Sequence, residues 1–414
     1  MIIRARTVVP MVREPIGNGA VAVNGNEITA VGRFDEIRRQ HDGEVLDLGE
    51  QILLPGLINA HCHLDYTVLR GKIGRQSSFA DWIRAINTEK AKLSEKDYID
   101  SIRDGFSEAL RFGTTTIANL TAFPKLIASI EEPIRTWWFG ELIDVRSAEQ
   151  AEQIVDGAAG HLKSTKHWGL APHAPFTASP RLYSRCEELA RKENVLLSTH
   201  LAESRDETQM FRDASGATFD FLKSIGRSME DCGGETPVSR FLRTRTVNDR
   251  WIIAHLNELD EEDFALLRDA PKFHVAYCPR SHSFFGHAPF ALERLRSNGF
   301  NICLGTDSLA SNSDLSLFAE IRELLRKNAG LAPRHALEMA TLNGAAALGQ
   351  RDRLGCIKAG AIADLIALPS STGDVFENIV GFESVVPWNM VNGQVIETKE
   401  TAARSRSSGG KERS

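Results

Sequence analysis

Residues 57–65 read LINAHCHLD, a run of apolar residues that ends in a histidine, a cysteine, a second histidine and an acid. The apolar run predicts a buried β-strand. Because side chains alternate between the two faces of a strand, His61 and His63 point to one side and Cys62 points to the other. Two imidazoles on the same side of a strand end favour a shared ligand, and we expect Cys62 to lie in the core.

The pattern of an apolar run that ends in polar residues recurs along the middle of the chain. Amphipathic helical stretches alternate with eight predicted strands, which lie near residues 54–61, 114–120, 135–143, 167–173, 195–201, 250–256, 272–278 and 301–307. This alternation predicts an α/β fold with a parallel (β/α)8 barrel of the TIM type. The longest connection, residues 204–249, is expected to lie over the active face of the barrel.

Short β-like runs with Asn-Gly and Asp-Gly turn signals stand at both ends of the chain. We therefore predict a small β-sandwich domain composed of residues 1–53 and 355–399, and a barrel domain of residues 54–354. The last stretch, residues 400–414, is small, polar and charged, so a disordered tail is expected.

The composition of the 414-residue chain is ordinary, with 42% hydrophobic residues, 25% charged residues and a net charge of −6. Without a basic excess, nucleic acid is not an expected partner. The chain contains no run of 18 apolar residues, so no membrane association is expected either. The six cysteines are scattered and form no CxxC pair, which indicates reduced thiols and a cytoplasmic location. Assembly into a homo-oligomer stays open.

Histidine and carboxylate side chains, which can bind metals or transfer protons, stand at the carboxyl ends of five predicted strands, in NAHCH, LAPHAPF, LLSTHLAE, WIIAHL and CLGTDS. In a (β/α)8 barrel the carboxyl ends of the strands converge on one mouth, so side chains far apart in the sequence can meet there. The side chains in question are His61, His63, His173, His200, Glu203, His255 and Asp307.

Three of these imidazoles and one carboxylate form a donor set that suits Zn²⁺ or Fe²⁺ and leaves room for a water molecule. We predict that one divalent ion, with zinc favoured over iron, is bound by His61, His63, His200 and Asp307. Such an ion lowers the pKa of a bound water from about 15.7 to about 7.

The remaining residues of the set are candidates for proton transfer and substrate contact. Glu203 follows His200 by three positions and could carry a proton from the water to a leaving group. His255 would orient the hydroxide or polarise the substrate, and Asp307 could accept the proton of the water. For His173, flanked by prolines in APHAP, closure of a loop and contact with substrate both stay open.

Together, HxH, HxxE, a later histidine and GTDS resemble the amidohydrolase superfamily over most of residues 1–399. The resemblance is to its aminohydrolases, which include cytosine, guanine and S-adenosylhomocysteine or methylthioadenosine deaminases, and to the related triazine chlorohydrolases. It rests on PGLINAHCH, on Arg70 and Gly71, and on GTDSLASNSDLSLFAE. It implies a (β/α)8 barrel with a β-sandwich and one divalent metal. No lysine ends the fourth predicted strand, which disfavours a dinuclear centre.

Carried over residue by residue, the resemblance implies a role for each matching side chain: ligands His61, His63, His200 and Asp307, proton shuttle Glu203, and hydroxide-orienting His255. It implies a hydrolase of non-peptide C–N bonds that releases ammonia from an amino-substituted N-heterocycle. An adenine-type base or nucleoside, of the S-adenosylhomocysteine or aminodeoxyfutalosine type, and a pterin are the expected substrates. A triazine-type chlorohydrolase, another C–N hydrolase of the superfamily and a non-catalytic binding protein on the same barrel are the alternatives.

Further residues are candidates for substrate contact. Asp81, in SSFADWI, stands where nucleoside deaminases of the superfamily often carry an acid that binds ribose hydroxyls. His282, in CPRSHSFFGH, replaces the asparagine that commonly follows Pro-x-Ser in these proteins, which loosens the expected substrate identity. The arginines that could bind a substrate carboxylate are Arg135, Arg146 and Arg280.

Overall fold

The computed structural model describes residues 1–396, so the predicted disordered tail, residues 400–414, lies outside the described residues. The strands are β1 (Ile2–Val8), β2 (Ile16–Asn24), β3 (Glu27–Arg33), β4 (Val45–Asp47), β5 (Gln51–Pro55), β6 (Leu57–Cys62), β7 (Thr114–Thr121), β8 (Arg135–Leu142), β9 (Trp168–Pro172), β10 (Leu196–Leu201), β11 (Trp251–His255), β12 (His274–Tyr277), β13 (Asn301–Leu304), β14 (Leu365–Pro369), β15 (Trp388–Val391) and β16 (Gln394–Ile396). The α-helices are α1 (Phe34–Gln40), α2 (Phe79–Lys90), α3 (Glu95–Arg111), α4 (Ala151–Leu162), α5 (Pro180–Glu193), α6 (Arg205–Asp213), α7 (Ala217–Ser224), α8 (Pro237–Thr244), α9 (Glu261–Asp269), α10 (Pro279–Phe285), α11 (Leu292–Ser297), α12 (Leu317–Lys327), α13 (Pro333–Met339), α14 (Leu342–Ala347) and α15 (Val375–Val380). Short 3₁₀ helices occupy Leu64–Leu69, Pro124–Ser129 and Ala148–Gln150.

Strands β6 to β13 pair in chain order to form a barrel of eight parallel strands. A parallel bridge between Cys62 on β6 and Asp307 beyond β13 brings the first and last strands together. Every residue of β6 and β7 is buried, as expected where helices cover the outside of the barrel and side chains fill its interior. The predicted (β/α)8 barrel is confirmed, and each predicted barrel strand overlaps an observed one.

Strands from both ends of the chain form a second sheet of eight strands, which mixes parallel and antiparallel pairs. Its order is β16-β15-β14-β5-β1-β2-β3, and β4 pairs with β1. The small β domain predicted from both termini is therefore confirmed, whereas its boundaries at residues 53–54 and 354–355 stay a prediction. Gly56 joins this sheet to the barrel, and a Cβ atom there would collide with the side chain of Thr115.

A buried ion pair connects the barrel to the second sheet. Arg135 begins β8, and its Nε donates to Asp364 Oδ2 at 3.2 Å while its Nη2 donates to Asn392 Oδ1 at 3.2 Å. The two charged side chains are only 7% and 4% exposed. Arg135 thus stands at the amino end of its strand, at the end of the barrel opposite the mouth where contact with substrate was predicted.

Replacing this arginine tests the connection. Arg135→Met is expected to lower the free energy of unfolding by about 3–5 kcal/mol, because it leaves the buried Asp364 carboxylate without its partner. Equilibrium urea unfolding followed by tryptophan fluorescence measures the change. Arg181→Met is the matched control, since its ion pair with Glu152 is 54% and 64% exposed and should contribute under about 1 kcal/mol. Equal losses in the two variants would contradict a special role for the buried pair.

Within residues 1–396, no helix combines the length and apolar character needed to cross a bilayer.

Candidate functional site

The carboxyl ends of the barrel strands bring the four predicted ligands together. His61 lies on β6 and His63 directly follows it, His200 lies on β10, and Asp307 lies three residues beyond β13. The Nε2 atoms of His63 and His200 are 3.3 Å apart, and His63 Nε2 is 3.8 Å from Asp307 Oδ1. One donor atom each from His61, His63 and Asp307 lie within 4.8 Å of one another. These distances are short enough for one ion to bridge the group.

The donor chemistry of this group also fits a divalent cation. Both ring nitrogens of His61 are buried and have no hydrogen-bond partner among the described residues. Burial, with a smaller contribution from His200, lowers the pKa of His61 to about 3. The ring is therefore neutral at physiological pH, which is the form of imidazole that binds a metal. A buried cluster of imidazoles beside a carboxylate, with one ring that has no hydrogen-bond partner among the described residues, suits zinc or iron.

Hydrogen bonds outside the cluster hold two of the predicted ligands in position. His200 donates from Nδ1 to the carbonyl oxygen of His173 at 2.8 Å, which leaves Nε2 facing the cluster. Ser281 and Ser311 donate from their hydroxyls to Asp307 Oδ2 at 2.6 and 3.2 Å. The other carboxylate oxygen, Oδ1, faces His63.

The backbone turns sharply where several strands enter the site. Ala202, His255 and Asp307 adopt left-handed conformations with φ of 49°, 79° and 56°. Residues other than glycine rarely adopt this conformation, which costs about 1–3 kcal/mol and concentrates at functional sites. The turns end the strands and redirect the chain at the barrel mouth.

Glu203 and His255 lie side by side next to the cluster, with Glu203 Oε1 3.7 Å from His255 Nε2. Burial raises the pKa of Glu203 well above its usual range and lowers the pKa of His255 well below its own. The backbone N–H of Glu203 donates to Glu207 Oε2 at 2.8 Å, and the side-chain amide of Asn257 donates to the Glu203 carbonyl at 3.0 Å. Burial therefore favours the protonated form of the Glu203 carboxyl, the form that can donate a proton, and hydrogen bonds hold the backbone of Glu203 in place.

A cavity of about 290 Å³ opens above these residues. Its floor includes His63, His200, Glu203 and Asp307. Its walls are largely apolar and come from α2, from the loop after β9 and from α7 within the long connection, through Phe79, Trp82, Ile83, Ile86, Phe176, Phe221, Leu222 and Ile225. A cavity with aromatic walls and a polar floor suits a flat ring that carries reactive nitrogen.

Of the predicted substrate contacts, His173 lines this cavity and Asp81 does not. A hydrogen bond of 2.6 Å joins Nδ1 of the His173 ring to Thr177 Oγ1. Asp81 instead lies at the start of α2, where its carboxylate forms an ion pair of 2.8 Å with Arg84. The Asp81 carboxylate is thus engaged outside the cavity lining, and its ribose-binding role stays a prediction.

Arg280 and His282 also lie outside the cavity lining. Arg280 donates from Nη1 to Asp314 Oδ1 at 2.6 Å, and His282 donates from Nε2 to the Ala288 carbonyl at 2.9 Å. Both side chains therefore have local partners away from the cavity lining, and their contacts with substrate stay predictions. Of the three arginines considered for a substrate carboxylate, Arg146 alone lines the cavity.

Two charged residues of the cavity, Glu141 and Lys90, were not predicted. Glu141 stands near the carboxyl end of β8, and Lys90 is the last residue of α2. Burial raises the pKa of Glu141 to about 7, an effect that the nearby Lys90 opposes. An acid inside the apolar run WWFGEL is the same signal as the histidines of NAHCH and could have identified Glu141.

Comparisons with known proteins show which family and which folds this chain resembles. Residues 52–396 match the model of the amidohydrolase family. A 5-methylthioadenosine/S-adenosylhomocysteine deaminase from Moorella thermoacetica is 29% identical over an alignment of 428 residues, gaps included. The alignment covers 96% of this chain and 94% of that protein. The crystal structure of Helicobacter pylori aminofutalosine deaminase with methylthio-coformycin aligns with a TM-score of 0.86 and 21% identity, over 96% of this chain and 100% of that chain. A zinc-bound adenosine deaminase from Xanthomonas campestris aligns with a TM-score of 0.79 and 24% identity, over 99% and 97% of the two chains. The two structures share the fold of this chain.

Proposed function

The chain belongs to the amidohydrolase family, and on that basis we propose that it is a metal-dependent hydrolase that releases ammonia from an adenine-type nucleoside. The observation that carries the proposal is that the histidine and aspartate cluster lies beside Glu203 and His255, and that its members His63, His200 and Asp307 share the floor of one cavity with Glu203. The deaminase names of the relatives support the same reaction.

We assign one divalent ion to His61, His63, His200 and Asp307, with zinc favoured over iron. When bound, such an ion would supply the Lewis acidity that makes water a nucleophile at neutral pH. The unpaired nitrogens of His61 and the approach of His63 to His200 support this assignment. Zinc in the related adenosine deaminase structure agrees with it.

The residues beside the ion divide the proton transfers of deamination between them. Asp307 accepts a proton from the water that attacks the amino-bearing carbon. Glu203, whose protonated form is favoured by burial, gives its proton to the neighbouring ring nitrogen, so that the ring does not accumulate charge as water adds. Glu203 then takes the proton of the added oxygen and passes it to the amino group, which leaves as ammonia. Transfer of the proton held by Asp307 to the nearby Glu203 returns both carboxyl groups to their starting states. His255 Nε2, which lies 3.7 Å from Glu203 Oε1, holds the attacking oxygen.

The Glu203 carboxyl favours deamination over dechlorination, because the two leaving groups differ in their need for a proton. Ammonia leaves a ring only after its nitrogen has been protonated, whereas chloride leaves without a proton. A buried carboxyl of raised pKa beside the cluster therefore suits ammonia as the leaving group. The aromatic wall residues Phe79, Trp82 and Phe176 would stack on the purine, and His173 would contact the ring edge.

Ammonia release from a panel of compounds tests the proposal. The zinc-loaded protein is assayed with adenosine, 5′-methylthioadenosine and S-adenosylhomocysteine, and with guanosine, cytidine, a pterin and atrazine for comparison. We expect one equivalent of ammonia for each adenine nucleoside converted to its inosine counterpart, with little turnover of the other compounds. Chloride release from atrazine without ammonia from any adenine compound would favour the chlorohydrolase reaction instead.

A further inference from the structure

His63 can act as a ligand through Nε2 only in one of its two neutral tautomers. Nε2 faces the cluster, 3.3 Å from His200 Nε2 and 3.8 Å from Asp307 Oδ1. For Nε2 to offer its lone pair, the ring proton must sit on Nδ1, at the opposite side of the ring. The tautomer of a metal-binding histidine is set by the acceptor that its other nitrogen finds.

His200 meets this requirement with a backbone acceptor. Its Nδ1 donates to the carbonyl oxygen of His173 at 2.8 Å. The Nδ1 of His63 is buried and has no hydrogen-bond partner within the part of the chain that the structure describes. Leaving a buried N–H without a hydrogen bond destabilises the protein, so this nitrogen requires an acceptor.

The atom that faces His63 Nδ1 is Oε1 of Glu141, at 3.6 Å. This oxygen is itself buried and unpaired among residues 1–396, and the two side chains are only 7% and 5% exposed. A movement of less than an ångström would bring the two atoms to a normal hydrogen-bond length and satisfy both. Glu141 lies on a strand of the barrel, which keeps its carboxylate close to the His63 ring.

The neighbouring rings fix the plane of the His63 ring, but they do not determine which edge of the ring faces the cluster. The Tyr66 ring stacks on His63 with centroids 5.9 Å apart and an interplanar angle of 19°. The His200 ring also stacks on it, with centroids 5.3 Å apart and an angle of 16°. A half-turn of the ring about the Cβ–Cγ bond keeps both stacks and exchanges the edges of the ring. An acceptor at one edge is therefore needed to select the productive orientation.

We propose that Glu141 is a positioning residue, whose carboxylate accepts a hydrogen bond from His63 Nδ1 and so holds the His63 Nε2 lone pair toward the proposed metal site. The inference rests on the metal site of the proposed function and is independent of which substrate is deaminated. Glu141 acts through His63 and takes no part in the proton transfers assigned above.

Two variants of Glu141 separate positioning from general packing. Glu141→Gln keeps an oxygen that can accept from Nδ1, whereas Glu141→Leu has a similar volume and no acceptor. The zinc affinity of the full-length chain is measured without substrate, by competition with a chromophoric chelator. We expect Glu141→Leu to weaken zinc binding by about 10–100-fold, the usual effect of removing such a partner, and Glu141→Gln to stay within about threefold of the wild type.

Other outcomes would overturn the proposal. One donor atom each from His63, Glu141 and His200 also lie within 4.8 Å of one another, so a direct ligand role would appear as comparable affinity losses in the Gln and Leu variants. Unchanged zinc affinity in both variants, with KM raised, would make Glu141 a substrate contact instead.

A third variant guards against misfolding of the leucine form. Glu141→Ala leaves space beside the cavity, and added acetate should restore its zinc affinity if a carboxylate acceptor is what His63 lacks. Zinc binding by Glu141→Ala that is normal without acetate, or weak and insensitive to it, would contradict the inference. Because these measurements use no substrate, failure of adenine nucleosides to react leaves their outcome unchanged.

Discussion

Glu203→Gln is expected to lower kcat for ammonia release by about 10²–10⁴-fold while the zinc content stays that of the wild type. Glutamine has the shape of the native side chain and preserves the backbone bonds to Glu207 and Asn257. It cannot give a proton to the ring nitrogen or carry one to the amino group. Steady-state assays with the preferred nucleoside, together with elemental analysis of the purified variant, measure both quantities.

Glu188→Gln is the control for this substitution, because Glu188 is an exposed residue of α5 and should retain full activity and full metal content. Near-normal turnover by the Glu203 variant would remove the proton-shuttle assignment. Loss of zinc from that variant would instead indicate that Glu203 is a ligand.

His200→Ala is expected to abolish detectable turnover and to lower bound zinc to below about 0.1 equivalent per chain. The His200 ring lies close to His63 and His61, with centroid separations of 5.3 and 5.0 Å, so its removal takes one donor from the centre of the cluster. Zinc at 100 times its dissociation constant stabilises a native protein by about 2.7 kcal/mol. The wild type should therefore gain thermal stability when zinc is added, and the variant should not.

The matched control for this variant is His161→Ala, which removes an exposed histidine of α4 and should leave zinc binding, activity and Tm unchanged. A His200→Ala protein that holds a full equivalent of zinc and keeps its turnover would exclude His200 from the ligand set.

The barrel and the cluster were predictable because both follow from one regularity of parallel sheets. Buried strands consist of apolar residues, so a charged or imidazole side chain near a strand end is conspicuous in the sequence. His61, His200, His255 and Asp307 all carry this signal, and the structure brings them together. Cys62 is fully buried, as expected from the alternation of side chains along its strand.

Several side chains predicted to contact substrate lie outside the cavity lining, and in each of the following cases an ion-pair partner decides the position of the side chain. Arg135 stands at a strand end, as predicted, but at the amino end, where Asp364 from beyond the barrel binds it. Asp81 and Arg280 are engaged by neighbouring charged residues that no periodic pattern reveals. The role inferred for Glu141 depends on its 3.6 Å separation from a nitrogen of His63, a quantity that only coordinates supply.

The floor of the cavity and its walls belong to separate segments of the chain. The reactive side chains stand on or just beyond barrel strands, whereas most wall residues come from α2 and α7. Exchange of a few side chains in these two helices would alter which ring enters without disturbing the groups that react with it. Selectivity and reactivity can thus evolve independently in this molecule, and an engineer who seeks a new substrate should vary the helices and leave the strands intact.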